Sequence, residues 1–259
     1  MLDNIYVFPK SLWGRVSIIS LLKRNKYDLI IDLYDNPSFS SSILIRFAKP
    51  KFSLGFDKEN RNVYTHIVAL LDKMKVHIVD RLRQLLLPFG YENYELNFVF
   101  PLKMKNPLPN KYKKRVGIVV SGSSPSKNWG LVNIAELIRM MNEKFDYELV
   151  VFGTKEHKDL IQSLNRLENT IIAPFTDDFD EFVAMVVSCD YIITPDTSVV
   201  HLASAFNIPV VVLYTFVDER FGMPWFPYKT KFEAIISKMD SYDDVKPEKV
   251  LKAFQKLMQ

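Results

Sequence analysis

Two stretches of this chain gather hydroxyl, carboxylate, amine and imidazole groups where an apolar strand gives way to a helix. The first reads Val116-Gly-Ile-Val-Val-Ser-Gly-Ser-Ser-Pro-Ser-Lys-Asn-Trp129. Its small-residue loop offers hydroxyls at Ser121, Ser123 and Ser124, with Lys127 as a compact point charge suited to a diphosphate whose charge grows as it departs. The loop lacks the Gly-Lys-Ser/Thr ending of a Walker loop and the glycine spacing of the dinucleotide fingerprint.

The second stretch runs from Asp190 to Tyr214 and reads as strand, turn, helix, strand. Asp196, Thr197 and Ser198 fall at the turn, beyond the carboxyl end of a strand, where open parallel sheets bind ligands. Unpaired backbone N–H groups and the positive end of the helix dipole there would face a diphosphate. Thr197 and Ser198 also suit plain helix capping, and the two roles are compatible. A carboxylate at Asp196 beside phosphates needs donors such as sugar hydroxyls. His201 follows one turn later; taken alone, it is more often a core residue than a ligand.

Asp178-Phe-Asp180 matches the Asp-x-Asp string of metal-dependent transferases. It opens a predicted helix, where acids complement the dipole, so no metal site is assigned. Cys189 is the one cysteine. It reads as a small buried apolar residue, because nothing near it in sequence would activate a thiolate.

The elements that must position these groups alternate. From Val116 the pattern gives strands at Val116–Val120, Tyr147–Phe152, Thr170–Ala173, Asp190–Thr194, Pro209–Tyr214 and Phe232–Ser237. Helical stretches at Val132–Asn142, Lys155–Arg166, Asp180–Ser188, Ser198–Phe206 and Pro247–Leu257 separate or follow them. Repeated βα units predict a parallel sheet covered by helices. The N-terminal part gives strands at Asn4–Phe8, Asp28–Tyr34 and Lys51–Phe56, helices at Leu12–Asn25 and Ser38–Ala48, a long helix over His66–Leu87, and a strand at Leu96–Phe100. Pro101, Pro107 and Pro109 among lysines and asparagines mark the break, giving domains 1–106 and 107–259.

Composition is ordinary for a globular protein, 48% hydrophobic and 25% charged over 259 residues, with a net charge of +4. A lone cysteine rules out a disulfide framework and fits a reducing compartment. Met1–Lys10 is not built like a secretory signal. The longest apolar run, Ile208–Val217, is half of the ~20 residues that span a bilayer. Charge is uneven: residues 1–115 hold 20 Lys and Arg against 10 Asp and Glu. The run Lys103, Lys105, Lys111, Lys113, Lys114 and Arg115 is read either as a solvated linker or as a face for an anionic partner.

Together, the two chemical stretches resemble glycosyltransferase family nine, the ADP-heptose:lipopolysaccharide heptosyltransferases, whose donor domain carries a Gly-rich loop ending in Lys-x-Trp and a later Asp-[Ser/Thr]-Gly-x-x-His. The likeness extends through Phe152-Gly-Thr-Lys-Glu156 and Ile208–Tyr214, and covers most of residues 27–237. It implies a GT-B-like α/β fold of two Rossmann-like domains with parallel sheets, the N-terminal one incomplete. It also implies a cytoplasmic enzyme, with peripheral contact at the inner face of the inner membrane as a further reading. The donor would be an ADP-heptose-like nucleotide sugar and the acceptor an anionic lipopolysaccharide core; nucleic acid and cofactors are not expected. On this resemblance Lys127 stabilises the leaving group, and Ser123, Ser124, Glu156, Asp196, Thr197, Ser198 and His201 bind the nucleotide sugar, Glu156 at the ribose. Transfer is expected to invert the anomeric centre without a metal.

The sequence departs from the family in two places. Ser198 stands where the family usually has Gly. The chain also begins where the family's N-terminal domain is already under way, Lys26-Tyr-Asp-Leu-Ile-Ile-Asp32 matching a late strand, so the loop carrying the family's base aspartate has no counterpart here. Asp32 and Asp35 are the nearest substitutes, and a strand-end Asp is more often a cap. The expectation is a chain that binds donor but transfers poorly unless that segment is supplied. The alternatives are a catalytically impaired nucleotide-sugar-binding remnant and, less readily, a nucleotide-sugar epimerase, for which no extra acid and base residues stand out.

Overall fold

The computed structural model describes residues 3–9, 11–92, 106–120, 122, 125–217 and 222–259. The chain separates into two compact units, 1–95 and 96–259, and residues 106–111 belong to the second: Leu108 is buried in its core.

In the first unit, α1 (Leu12–Asn25) begins on Ser11, whose hydroxyl accepts the Gly14 N–H. It is followed by β1 (Leu29–Ile31), α2 (Phe39–Ala48), β2 (Phe52–Phe56) and β3 (His66–Val68). The three strands pair in parallel in that order, with Ile31 opposite Leu54 and Leu54 opposite His66. Its core is small: Leu54, Phe56, Val68 and Leu85, with Leu29, Leu70 and Leu82 against them.

Two expectations fail in this unit. The stretch His66–Leu87 is not one helix. Its first three residues join the sheet, and Asp72 Oδ1 accepts the Met74 N–H at 2.8 Å in a turn. Only α3 (Ile78–Arg83), continued by a 3₁₀ segment Gln84–Phe89, is helical. An apolar spacing close to helical was produced by a strand and a short helix in succession, and β-sheet pairing overrode it. Asn4–Phe8 forms no strand, and Ile5 and Val7 stand exposed; a strand without a neighbour has no ladder to hold it. The strand expected at Leu96–Phe100 lies outside the described residues.

The second unit follows the alternating pattern closely. It comprises β4 (Arg115–Val119), α4 (Leu131–Asn142), β5 (Glu148–Phe152), α5 (Lys158–Gln162), β6 (Thr170–Ile172), α6 (Phe179–Val187), β7 (Tyr191–Pro195), α7 (Ser198–Ala205), β8 (Val210–Tyr214), β9 (Phe232–Ile236) and α8 (Pro247–Leu257). The strands are all parallel in the order β6-β5-β4-β7-β8-β9, which is the doubly wound arrangement. Side chains alternate across it. Val116, Ile118, Leu149, Val151, Val211 and Leu213 pack beneath α4 and α8, while Val150, Phe152, Ile192, Val210 and Val212 pack beneath α6 and α7. The expected helix Lys155–Arg166 is broken into a 3₁₀ turn, α5 and a second 3₁₀ turn; Ile161 and Leu164 carry it into the core.

The amino ends of these strands are locked by charge. Arg115 is fully buried, bonding Glu148 Oε2 through Nε and Nη2 at 2.9 and 2.7 Å, Ser188 Oγ at 3.1 Å and the Pro109 carbonyl at 3.1 Å. Asp190 accepts the Arg115 N–H at 2.7 Å and pairs with Lys111 at 2.6 Å, and Lys113 pairs with Asp146 at 2.5 Å. Of the basic run, Arg115, Lys111 and Lys113 are paired with Glu148, Asp190 and Asp146, Arg115 in the interior and the two lysines at the surface. Lys103 and Lys105 lie outside the described residues. No described helix is long and apolar enough to cross a membrane.

Cys189 is buried, and desolvation pushes its thiol up to about 12, so it is an inert core residue. Removing one partner of a buried ion pair leaves the other charge stranded, at about 3–5 kcal/mol. Arg115→Met is expected to destabilise the second unit by that amount in urea titration, and Lys113→Met, at an exposed pair, by clearly less. Equal effects would show that the buried pair does not brace the sheet.

Candidate functional site

The carboxyl ends of the second sheet open into a cleft of about 1330 Å³. Its centre lies where strand order reverses, between β4 and β7, because the chain leaves β4 for α4 on one face and leaves β7 for α7 on the other. Loops diverging there leave a crevice.

From β4 the chain turns at Gly122, whose N–H donates to the Lys127 carbonyl at 3.0 Å. A Cβ at Gly122 would lie 2.5 Å from Lys127 Cβ and 3.1 Å from its carbonyl oxygen, so only glycine lets the loop close on Lys127. Lys127 ends a 3₁₀ turn, Pro125–Lys127. Trp129 then buries its ring, donates Nε1–H to the Val245 carbonyl at 2.7 Å and anchors the loop to the segment before α8. Gly130, at φ +86°, supplies the left-handed residue that starts α4. Ser123 and Ser124 lie outside the described residues.

On the β7 side, Thr197 is the N-cap of α7. Its hydroxyl accepts the Val199 N–H at 3.2 Å and meets Thr194 Oγ1 at 3.0 Å. Ser198 opens the helix and is exposed to the cleft, and His201 follows on the same wall. Asp196 takes the Lys127 ammonium at 2.5 Å, so the two sequence stretches meet through this bridge. The pair sits across the switch point with both side chains about one-third exposed or less.

Of the residues expected from sequence, Lys127, Asp196, Thr197, Ser198 and His201 line one cleft. Glu156 does not line it: it is exposed on the 3₁₀ turn Lys155–His157, while Gly153 and Thr154 just before it do. Sequence reasoning missed Phe152 and Phe182 at the β5 end, and Tyr214, Phe216, Trp225 and Asp240 at the β8 end. Residues 224–240 carry no motif, and only folding brings them to the cleft.

The acids at the start of α6 act as caps. Asp178 Oδ1 accepts the Asp180 and Glu181 N–H groups at 2.8 and 3.2 Å. Among the described residues no cluster of three His, Cys, Asp or Glu could hold a metal ion.

In the first unit Asp32 and Asp35 are buried. Asp32 accepts Tyr64 Oη at 2.5 Å, Lys58 Nζ at 3.1 Å and the Tyr34 N–H at 3.1 Å. Asp35 pairs with Arg81 at 2.8 Å. Both carboxylates are committed to holding the loop after β1, which argues against either as a base. Burial and the neighbouring Asp32 charge hold the Tyr64 phenol in its protonated form.

The sequence profile of glycosyltransferase family 9 (heptosyltransferase) matches residues 15–253. The chain belongs to this family. It is 23% identical over 227 residues to lipopolysaccharide heptosyltransferase 3 of Escherichia coli, covering 80% of this chain and 65% of that protein, so it spans just under two thirds of that relative. Among solved structures, the glycosyltransferase of family 9 from Veillonella parvula superposes with a TM-score of 0.75 at 17% identity, over 96% of this chain and 80% of that one. Escherichia coli heptosyltransferase WaaC with ADP gives 0.74 at 15% identity, over 96% and 79%. The family 9 glycosyltransferase described here thus has a GT-B-like fold.

Replacing Thr197 by Ala removes the cap of α7, a change that costs about 0.5–2 kcal/mol in other helices. Thr197→Ala is expected to lower the unfolding free energy by that amount, and Thr197→Ser, which keeps the hydroxyl, by clearly less. Equal losses in urea titration would mean that the hydroxyl is not the cap.

Proposed function

We propose that this chain transfers a heptose or a similar sugar from an ADP-linked donor to a lipopolysaccharide-core acceptor, with inversion and without a metal. The observation that carries the reading is the convergence of Lys127 with the N-terminus of α7 across the switch point. Family membership, and a fold neighbour whose structure was solved with ADP, support the choice of nucleotide.

The diphosphate lies against Gly122, Lys127, Thr197 and Ser198, with the hydroxyls of Ser123 and Ser124, expected from the sequence, as further donors. Backbone N–H groups and the helix dipole meet the phosphates, and Lys127 supplies the full positive charge. Asp196 holds the Lys127 ammonium at the crevice; an arriving diphosphate competes for it, leaving the carboxylate free to accept sugar hydroxyls. Phe152, Gly153 and Phe182 form the apolar end suited to adenine. Glu156, two residues beyond Thr154, would reach the ribose from the rim, and His201 would contact the sugar.

Attack by an acceptor hydroxyl on the anomeric carbon forms the new C–O bond as the bond to the diphosphate breaks from the opposite side. Negative charge then grows on the departing phosphate oxygen. Lys127 and the start of α7 are placed to stabilise that charge more in the transition state than in the bound donor, which is what raises rate. The acceptor proton leaves to a base outside the residues assigned here.

Calorimetry with ADP tests the cradle. Lys127→Ala is expected to weaken ADP binding at least tenfold; a change within about twofold, roughly 0.4 kcal/mol, would remove Lys127 from the site. Metal independence is tested by adding EDTA during the same titration. Affinity is expected to be unchanged, whereas a loss restored by magnesium or manganese would assign a metal to the donor.

A further inference from the structure

At the β8 end of the cleft Trp225 is 52% exposed, although it lies on the cleft wall. Its position is fixed from below: the hydroxyl of Tyr214, the buried last residue of β8, donates to the Trp225 carbonyl at 3.1 Å. The His201 ring lies 5.9 Å from the indole, tilted by 57°. Asp240, exposed on the loop after β9, lines the same cleft, and that loop is tied to the one after β8 by the Phe216 N–H donating to the Met239 carbonyl at 2.8 Å.

A large indole left half open on a braced backbone adds little to the core and presents a flat apolar face to whatever enters. The charges beside it are selective. Among the described residues lining this end of the cleft there is no Lys or Arg, and Asp240 adds a negative charge. The Asp240 carboxylate disfavours a phosphate placed against it. A neutral ring bearing many hydroxyls fits both features: its C–H face lies on the indole, and its O–H groups donate to a carboxylate, which can accept several hydrogen bonds and makes strong ones.

The order along the sheet agrees. The cleft runs from the apolar β5 end, across the cation and helix terminus at the β4–β7 switch, to the aromatic and acidic β8 end. A base, a diphosphate and a sugar follow one another in the same sequence along the proposed donor.

We propose that Trp225 and Asp240 form the end of the cleft that reads the donor's sugar, Trp225 through the ring face and Asp240 through its hydroxyls. The inference rests on the nucleotide-sugar reading given above and adds to it the residues that discriminate one sugar from another. A site built to bond a hydroxyl rejects analogues that lack it, because its own polar group is then left unpaired.

The test compares ADP with ADP-heptose by calorimetry on the full chain. The unsubstituted protein is expected to bind ADP-heptose more tightly than ADP. Trp225→Ala and Asp240→Asn are each expected to weaken ADP-heptose at least tenfold while leaving ADP within twofold. The Asp240→Asn change, which removes a negative charge, moves ADP affinity upward if at all. Trp225→Phe keeps a flat ring and is expected to retain most of the affinity, which separates loss of stacking from local unfolding. Equal weakening of both ligands, or no weakening of ADP-heptose, overturns the proposal. Failure of the unsubstituted chain to bind ADP would overturn the nucleotide-sugar reading itself, and this inference with it.

Discussion

Everything at the site depends on one topological constraint: β4 lies at the centre of a parallel sheet and its chain leaves toward one face, while that of β7, its neighbour, leaves toward the other. Parallel strands send all their carboxyl ends the same way, so the loops after β4, β5, β7 and β8 share one edge of the sheet. At the reversal of strand order those loops cannot pack against each other, and a cleft is left. The residues in it were placed there by the strands that end beneath them.

The two edges of that sheet are used differently. At the amino edge, the fully buried Arg115 guanidinium donates to Glu148, Ser188 and the Pro109 carbonyl. At the carboxyl edge the bridge across the switch point, Lys127 to Asp196, retains partial exposure. A buried charge with every donor satisfied has little left to offer a ligand, whereas a partly exposed pair can be split by one. The same distinction separates Lys127 from Lys58 in the first unit: Lys58 is buried against Asp32 and against the carbonyls of Tyr34 and Asn36, and serves the loop that it holds.

The loop between β4 and α4 shows how few residues set a site. Gly122 permits the close approach, the Lys127 carbonyl closes the turn, and Trp129 bolts its far end into the core through Val245. The Lys-x-Trp spacing therefore places a charged group of the cleft two residues from a ring that anchors the fold.

The second unit was legible in the sequence because its strands are buried on both faces and its helices are amphipathic, so apolar runs and helical spacing alternate from Val116 to Leu257, Lys155–Arg166 being the stretch where one expected helix is broken into short turns. Thr197 as a cap, Asp178 as a cap and Cys189 as a core residue followed from local chemistry alone. In the first unit the same reasoning failed at His66–Leu87, where a three-residue strand and a short helix together imitate one long helix, and only pairing with β2 decides between them. Tertiary structure alone brought Asp196 to Lys127, 69 residues apart, and carried Trp225 and Asp240 to the cleft from segments with no motif. It also buried Asp32 against Lys58 and Tyr64 and paired Asp35 with Arg81. Local sequence sets which backbone conformations and caps are favourable; which charges end as partners depends on distances that exist only after the sheet has formed.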